Sequence, residues 1–390
     1  MDNLNEIFKQ HDKYQLEMKF TYPLNPDLAQ NEYHVDTYIF LPNSLGLSAT
    51  TYSKQDFYAD LQEYIRLKTP VVLLRGMNLD GDSPLKKLER TVRRYSFAPD
   101  DPVMHEAYQE RLKMFCSIMK SALRDEEAFL ERSSSSLNFE TLIRNYLDQT
   151  VSILQEFRSL RLLIEVPGVP ADSLDMFRFV DEFLSLTANK YRYKLWTFLT
   201  CSGTFPWTVE VKKKIIRLIR DEIEYRKAGG YPSIPAAGSD NDKLIYREGV
   251  LKKVMASVLF LKTTIRRDGV LLENLLFGIA AGIAMAFATV VTFVTAKFFY
   301  SELSLLVFLI VVLSYMGKDR LKEWLRLYFQ AKVRRYLYDY KTKIQSGFGK
   351  EVGVCKEGFQ FIPESKVDPR ILKIRDRDSF SRLANHGLGE

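Results

Sequence analysis

Histidine is the side chain that proteins most often use for metal binding and for proton transfer near neutral pH, and this chain has only four histidines. His105 begins the segment HEAYQ, which lacks the second histidine that the zinc-protease motif HExxH places one helical turn later. His34 and Asp36 fall on the same face of a predicted strand, a spacing that can hold a metal but is common in proteins without one. The histidines therefore predict no metal site.

Two further segments have residue types that could do chemistry. Asp80, Gly81 and Asp82 resemble the start of a calcium loop, but the residues after them supply neither the further oxygen ligands nor the glutamate that such a loop needs. Cys201 follows a predicted helix with no histidine near it in sequence, which is more typical of a small apolar residue than of a catalytic thiol. The sequence contains no phosphate-binding glycine loop and no GxSxG motif, so we expect no cofactor and assign no catalytic residue.

Two apolar runs lie side by side, at about residues 271–299 and 303–317, with a short polar turn between them. Within the first run, residues 275–296 carry no charge and would form about 33 Å of helix, enough to cross a hydrocarbon core of about 30 Å. The second run gives about 21 Å of helix, so a re-entrant or interfacial segment is the alternative there. The pattern predicts a two-helix transmembrane hairpin.

Basic residues flank this hairpin at its base, while the short turn at its far end offers only Lys297 against Glu302. The positive-inside rule then predicts a multi-pass protein of the inner cell membrane with both termini in the cytoplasm. Residues 318–390 contain 17 lysines and arginines and 10 acidic residues, and the difference of 7 equals the net charge of the whole chain. A basic segment beside a membrane helix predicts contact with anionic lipid headgroups, and no nucleic-acid motif accompanies it. We expect headgroup contacts from Arg266, Arg267, Lys318, Arg320, Lys322, Arg334 and Arg335.

Small residues on the first apolar run indicate where it packs. Gly278 and Gly282 form a GxxxG pair, with Ala281 beside them and Met285 next on the same face. Small residues allow close approach of helix backbones in lipid, so this face either packs on the second helix of the same chain or forms a homo-oligomer. A second row of small residues runs alongside at a spacing of four, namely Ala280, Ala284 and Ala288.

The remaining chain predicts an α+β fold that is predominantly helical. Four amphipathic segments between Gly and Pro breaks predict a helical bundle, with helices at about 102–131, 138–164, 171–198 and 208–227. We expect five regions: a small α/β unit (1–100), the bundle (101–228), a linker or loop (229–242), amphipathic helices flanking the hairpin (243–344), and a basic tail with short strands (345–390).

The less regular regions give more specific local predictions. In the N-terminal unit, alternating or apolar runs predict strands at 14–22, 33–41 and 70–77, with helices at 54–67 and from Pro84. The flanking helices are expected at 243–267 and 318–344. Either they extend the hairpin as an antiparallel stem in the cytoplasm, or the second lies along the membrane surface, as Trp324, Arg334 and Arg335 would allow. In the tail, residues 347–363 predict a small hairpin and 371–380 a further strand.

Together these features favour a non-catalytic, membrane-anchored protein that faces the cytoplasm as a scaffold, sensor or assembly subunit. Its expected partners are anionic lipid headgroups, further copies of itself and an unidentified protein on the cytoplasmic side. Two alternatives are an enzyme with a new type of site near His34, Asp36 or Asp80, and an oligomeric pore or transport component that uses the small-residue face.

Overall fold

The computed structural model describes residues 8–10, 15–41, 43–79, 81–201, 206–235, 238, 241–298, 305–334, 336–346 and 350–377 of the 390-residue chain. About 64% of the chain is helical and a small antiparallel sheet accompanies the helices, as the sequence predicts for a predominantly helical α+β fold. The chain divides into two compact units, one made by Met1–Leu61 with Phe359–Glu390 and the other by Gln62–Gly358.

In chain order the strands and α-helices are β1 (Phe8–Gln10), β2 (Leu16–Met18), α1 (Lys54–Asp60), α2 (Pro84–Phe97), α3 (Pro102–Arg132), α4 (Phe139–Ser159), α5 (Ala171–Cys201), α6 (Pro206–Ala228), α7 (Asp242–Ala256), β3 (Lys262–Arg267), α8 (Val270–Phe298), α9 (Leu305–Val333), β4 (Tyr340–Gln345), β5 (Glu351–Glu357) and α10 (Pro369–Arg375). Helices α3 to α6 occupy the four segments that the sequence predicts as helical.

Local sequence explains where the first long helices begin. Ser83 accepts a hydrogen bond from the backbone N–H of Lys86 and caps α2, and Asp101 does the same for Val103 at the start of α3. In both helices proline occupies the first turn, where its missing N–H costs nothing because that group has no intrahelical partner. These caps fix the entry points of two helices that pack against each other.

Aromatic side chains fill the centre of the bundle. Phe115 of α3, Phe157 of α4 and Phe177 of α5 are stacked, with ring centroids 5.7 and 4.6 Å apart, and all three are buried. Burying an aromatic side chain of this size contributes about 2–3 kcal/mol of transfer free energy. Tyr231 and Ser233, in the segment expected to be a linker, are also buried. That segment is therefore held against the bundle at these two residues.

The expected amphipathic helix at 243–267 is wrong in its second half. Helix α7 ends at Ala256, and residues 262–267 form strand β3 instead. The segment KTTIRR contains three consecutive β-branched residues, which favour a pleated strand over a helix. The expected helix at 318–344 is wrong at both ends, since α9 starts inside the apolar run and stops at Val333, and β4 follows.

Strands β3, β4 and β5 form an antiparallel sheet in that order, at the base of α8 and α9. Its register pairs Arg266 with Lys341 and Arg267 with Tyr340. Neighbouring residues on a strand point to opposite faces, so Arg266 and Arg267 lie on different sides of the sheet. The sequence predicts a hairpin within 347–363, but the partner of β5 is β4.

Three local predictions outside the bundle are also wrong. Residues 33–41 form no strand, and 70–77 contain a single turn of 3₁₀ helix at Leu74–Gly76. An apolar run becomes a strand only if a partner strand satisfies its backbone groups, and sequence periodicity does not supply that partner. Residues 369–375 form helix α10, because Asp368 caps it and Pro369 occupies its first turn.

Helix α8 is the one helix in the described part of the chain that is long and apolar enough to cross a membrane. Helix α9 is equally long, but only its first part is apolar, and it continues without a break through Lys318, Arg320 and Lys322. The prediction of two transmembrane helices is therefore not supported for the second helix. One continuous helix replaces the expected membrane segment and its separate amphipathic successor.

Candidate membrane-attachment site

The apolar side chains of α8 are exposed. Within its most apolar 18-residue window only 11% of the residues are buried, whereas a core helix of a water-soluble protein would be mostly covered. Helix α9 has exposed apolar side chains as well, before its charged part begins. The most exposed large side chains of the pair include Leu271, Leu275, Val290, Phe293, Phe298, Phe308 and Leu313. A continuous apolar surface of this kind marks a contact with lipid or protein.

The two helices pack as an antiparallel pair whose register can be read from three contacts. The Arg334 guanidinium lies 3.9 Å from the Glu273 carboxylate, and Arg326 stacks over the ring of Phe277 at 4.6 Å. Further along, Gly317 of α9 faces Phe287 of α8. The Phe287 ring is 3.6 Å from the position that a Cβ atom on Gly317 would take. This register brings the first charged residues of α9 beside the middle of α8. The sequence alone did not indicate this proximity. The first apolar run has charges only near its own ends, and the charges beside its middle come from the other helix.

The small residues that are buried on α8 are Ala280 and Ala284, which have 0% and 1% of their surface exposed. Gly278 and Gly282 are exposed, and a Cβ on either would meet nothing within 4 Å. Ala281 is half-buried, and Met285 is 58% exposed. Within the chain, Ala280 and Ala284, from the row of small residues at a spacing of four, therefore pack against α9. The GxxxG pair of Gly278 and Gly282 is not covered by α9. That the GxxxG pair joins two copies of the chain stays a prediction.

The expected headgroup contacts fall into different environments. Arg267 and Arg334 share Glu273, at 3.4 and 3.9 Å, so they tie the base of α8 to the end of β3 and the end of α9. Arg266, Arg320 and Lys322 are exposed. The side chain of Lys318 is only 17% exposed and lies between the helices, and its Nζ is 3.6 Å from the ring centroid of Tyr315. Arg335 lies outside the described residues.

The residues proposed for an unrecognised enzyme are not assembled into a catalytic site in the described part of the chain. His34 Nε2 is 3.2 Å from Asp36 Oδ1, but both side chains are more than half exposed. Asp80 lies outside the described residues. Cys201 is exposed at the end of α5, and burial raises the pKa of Cys355 to about 12, so its thiol is protonated at neutral pH.

His105 is part of a hydrogen-bonded cluster that the sequence did not reveal. The Tyr95 hydroxyl lies 3.1 Å from His105 Nδ1 and 2.6 Å from Ser173 Oγ, and Ser173 Oγ is 3.4 Å from the same histidine nitrogen. A serine beside a histidine suggests nucleophilic catalysis, but Tyr95 and Ser173 are completely buried and no substrate can approach them. The cluster ties the starts of α3 and α5 to α2.

A set of mostly buried charges lies between α4, α5 and α6. Arg158 donates to Asp181 at 2.9 Å and to both carboxylate oxygens of Glu222 at 3.1 and 2.8 Å. Its guanidinium also stacks on the ring of Tyr225 at 3.7 Å. A planar guanidinium fork matches a carboxylate in this way, so Arg158 joins three helices at one point.

Further hydrogen bonds complete this network. Asp181 accepts from the hydroxyls of Tyr225 and Tyr231, at 2.6 and 2.7 Å. Ser185 donates to Glu222 at 2.5 Å and accepts from Arg226 at 2.7 Å. Arg226 also donates to the backbone carbonyl of Ser233 at 3.1 Å. The network therefore holds the 229–235 segment to the bundle as well as the helices to one another.

Charge balance explains why Glu222 stays ionised in the interior. Burial opposes ionisation, but the hydrogen bonds and positive charge of Arg158, with the hydrogen bond from Ser185, outweigh it and hold the pKa of Glu222 below its ordinary value. Asp181 and Glu222, the two carboxylates of the network, are both paired with Arg158. These groups are therefore best explained as structural.

No group of three or more histidine, cysteine, aspartate or glutamate side chains in the described ranges is arranged to hold a metal ion. The chain matches no protein-family model, no curated protein and no solved structure. The apolar helix pair is thus the feature of the described chain with the most specific functional implication.

Proposed function

We propose that this protein is a membrane-anchored scaffold, sensor or assembly subunit whose helical bundle faces the cytoplasm. The observation that carries the proposal is the exposure of α8, a 29-residue apolar helix. Only 11% of the residues in its most apolar 18-residue stretch are buried. Water would make so large an exposed apolar surface unfavourable, whereas a bilayer interior would not. The buried, paired charges of the bundle support a structural role for that part of the chain.

The register of the helix pair favours insertion from one side of the membrane. Residues 305–317 carry no charge and cover about 20 Å from the tip of the pair, which is less than the hydrocarbon thickness of about 30 Å. If the start of α9 reached the far edge of the hydrocarbon core, Lys318, Asp319 and Arg320 would lie inside the core, about 10 Å from the side of entry, which is costly for charged groups. A re-entrant hairpin keeps these residues close to the headgroups on the side of entry.

Sidedness follows from the same charges. The basic residues that follow the uncharged segment 305–317 lie on the side of entry, so anionic lipids of the cytoplasmic leaflet of the inner cell membrane are the expected surface. Exposed Arg320 and Lys322 are the best placed for headgroup contacts. Arg266 lies at the base of the pair, about 20 Å further from the tip, and Arg267 and Arg334 are already paired with Glu273 there. Both termini then face the cytoplasm.

Membrane attachment is tested by fractionating cells that express the full chain. We expect the protein in the membrane pellet after an alkaline carbonate wash, and we expect Phe293→Lys to move it to the soluble fraction, because Phe293 is 71% exposed on the apolar helix. The matched control is Leu162→Lys, a change of the same kind at a 73% exposed residue of the bundle region, which should leave the protein in the pellet. A wild-type protein released by carbonate would contradict the proposal.

Insertion depth is tested by labelling single cysteines with a membrane-impermeant maleimide after Cys116, Cys201 and Cys355 are replaced by serine. Entry from one side predicts labelling at Leu271→Cys from the cytoplasmic side and protection at Val290→Cys from both sides. Labelling of Phe298→Cys from the opposite side of the membrane would instead establish that α8 crosses the bilayer completely.

A further inference from the structure

A cavity of about 340 Å³ lies between α8 and α9, along the second half of α8. Its walls include Met285, Ala288, Phe293 and Ala296 from α8 and Tyr315 from α9. The described residues around it are mostly apolar, and the cavity opens to the outer surface of the helix pair, which is the surface assigned above to lipid.

Two threonines in the wall present methyl groups more than hydroxyls. Thr289 donates its hydroxyl to the carbonyl of Met285 and Thr292 donates to the carbonyl of Ala288, both at 2.9 Å. Because these hydroxyls are already satisfied by their own helix, they have little need of a polar ligand. The threonines therefore extend the apolar wall along one side of α8.

Lys318 supplies the charge in the lining of the cavity. Its side chain is 17% exposed, its nearest carboxylate oxygen is on Asp319 at 3.9 Å, and its Nζ stacks over Tyr315. Asp319 is itself 63% exposed, so this pair is long and mostly hydrated. Among the residues that the structure describes, this ammonium thus has no close, desolvated counter-charge, which an anionic headgroup at the edge of a bilayer would provide.

We propose that this cavity binds one anionic phospholipid, with its phosphate on Lys318 and one acyl chain along Ala288, Thr292 and Ala296 toward the tip of the hairpin. The proposal rests on the membrane attachment proposed above and identifies the lipid that the anchor takes. Depth supports the assignment, because Lys318 ends the uncharged segment 305–317, where the headgroups would begin. A free phosphate would satisfy the lysine but would leave the apolar wall uncovered.

The test is native mass spectrometry of the full-length protein in detergent, with phosphatidylglycerol or phosphatidylcholine of identical acyl chains added. We expect one phosphatidylglycerol to be retained in preference to phosphatidylcholine, and Lys318→Gln to weaken its retention roughly fivefold, the effect of one lysine near an anionic lipid. Lys213→Gln removes the same charge at an exposed position of α6, outside the helix pair, and should have no effect. Lys318→Arg should retain the lipid.

A second variant tests the chain-binding wall independently of charge. Thr292→Trp fills the cavity and should abolish lipid retention, while unchanged circular dichroism and gel filtration establish that the variant is folded. Excess inorganic phosphate should not displace the lipid. Equal retention of both lipids, equal retention by the Lys318→Gln and Lys213→Gln variants, or displacement by phosphate would each overturn the proposal.

Because the measurement is made in detergent, its outcome is separate from that of the fractionation experiment. A carbonate-soluble protein that still retains phosphatidylglycerol would contradict the proposed membrane anchor and support the lipid site. A membrane-bound protein that retains both lipids equally would support the anchor and contradict the lipid site.

Discussion

Glu222 is a buried carboxylate at the centre of the bundle's hydrogen-bond network. It accepts from Arg158 and Ser185, and Ser185 in turn accepts from Arg226. We expect Glu222→Gln to destabilise the folded state by about 3–5 kcal/mol, because it leaves the Arg158 guanidinium buried without its bidentate partner. Urea unfolding followed by circular dichroism measures the change. The control is Lys190→Ala, which breaks an exposed pair with Glu248 at 3.0 Å and should cost less than about 1 kcal/mol.

The same carboxylate predicts acid sensitivity. The pKa of Glu222 is lower in the folded chain than its ordinary value of 4.5, so its ionised form stabilises the fold at neutral pH. That contribution is present above about pH 4.5 and is lost as the pH falls through the lower folded value. Thermal unfolding of wild type and Glu222→Gln between pH 7 and pH 3 should therefore show a smaller loss of stability in the variant. Parallel curves would exclude Glu222 as a source of the acid sensitivity.

At the scale of elements, the α8–α9 pair depends on a close approach at alanine. Ala284 is 1% exposed, so Ala284→Leu forces extra atoms into a filled contact and should destabilise the pair by about 1–3 kcal/mol. Ala286→Leu, which makes the same change at an exposed position of the same helix, should be neutral. Thermal unfolding of the two purified variants in mild detergent compares them, and equal transitions would refute this packing face.

The sheet at the base of the pair has its own role. Strands β3 and β4 are adjacent, and the N–H of Asp268 donates to the carbonyl of Asp339 at 3.4 Å just beyond the paired residues. The chain therefore leaves the sheet as α8 and returns to it after α9 at nearly the same place. The strands therefore join the two ends of the hairpin.

At the scale of the whole molecule, this arrangement predicts that the hairpin can be removed. Replacing residues 271–332 by a short Gly-Ser linker should give a soluble protein that keeps the bundle, because the two ends are already held together by the sheet and loop closure adds little cost. Gel filtration in the absence of detergent and circular dichroism measure this. An unfolded or aggregated product would mean that the hairpin belongs to the core.

Sequence periodicity was sufficient for the bundle and for the apolar helix. Helices α3 to α6 follow from apolar positions repeated at the helical period and from breaks at serine, glycine and proline, all of which are local features. The apolar run of α8 is likewise read directly from composition. Local rules failed at residues 33–41 and at β3, because a strand depends on a distant partner that satisfies its backbone.

What the sequence determined by itself was the existence of an apolar helix long enough to cross a membrane and of a helical domain, since both depend on the order of side chains along one segment. Only the tertiary structure decided which charges meet. The pairing of Arg158 with Glu222 and the position of Lys318 beside the middle of α8 join residues far apart in the chain. Their energies depend on burial and on distance in space, and no spacing along the sequence encodes either quantity.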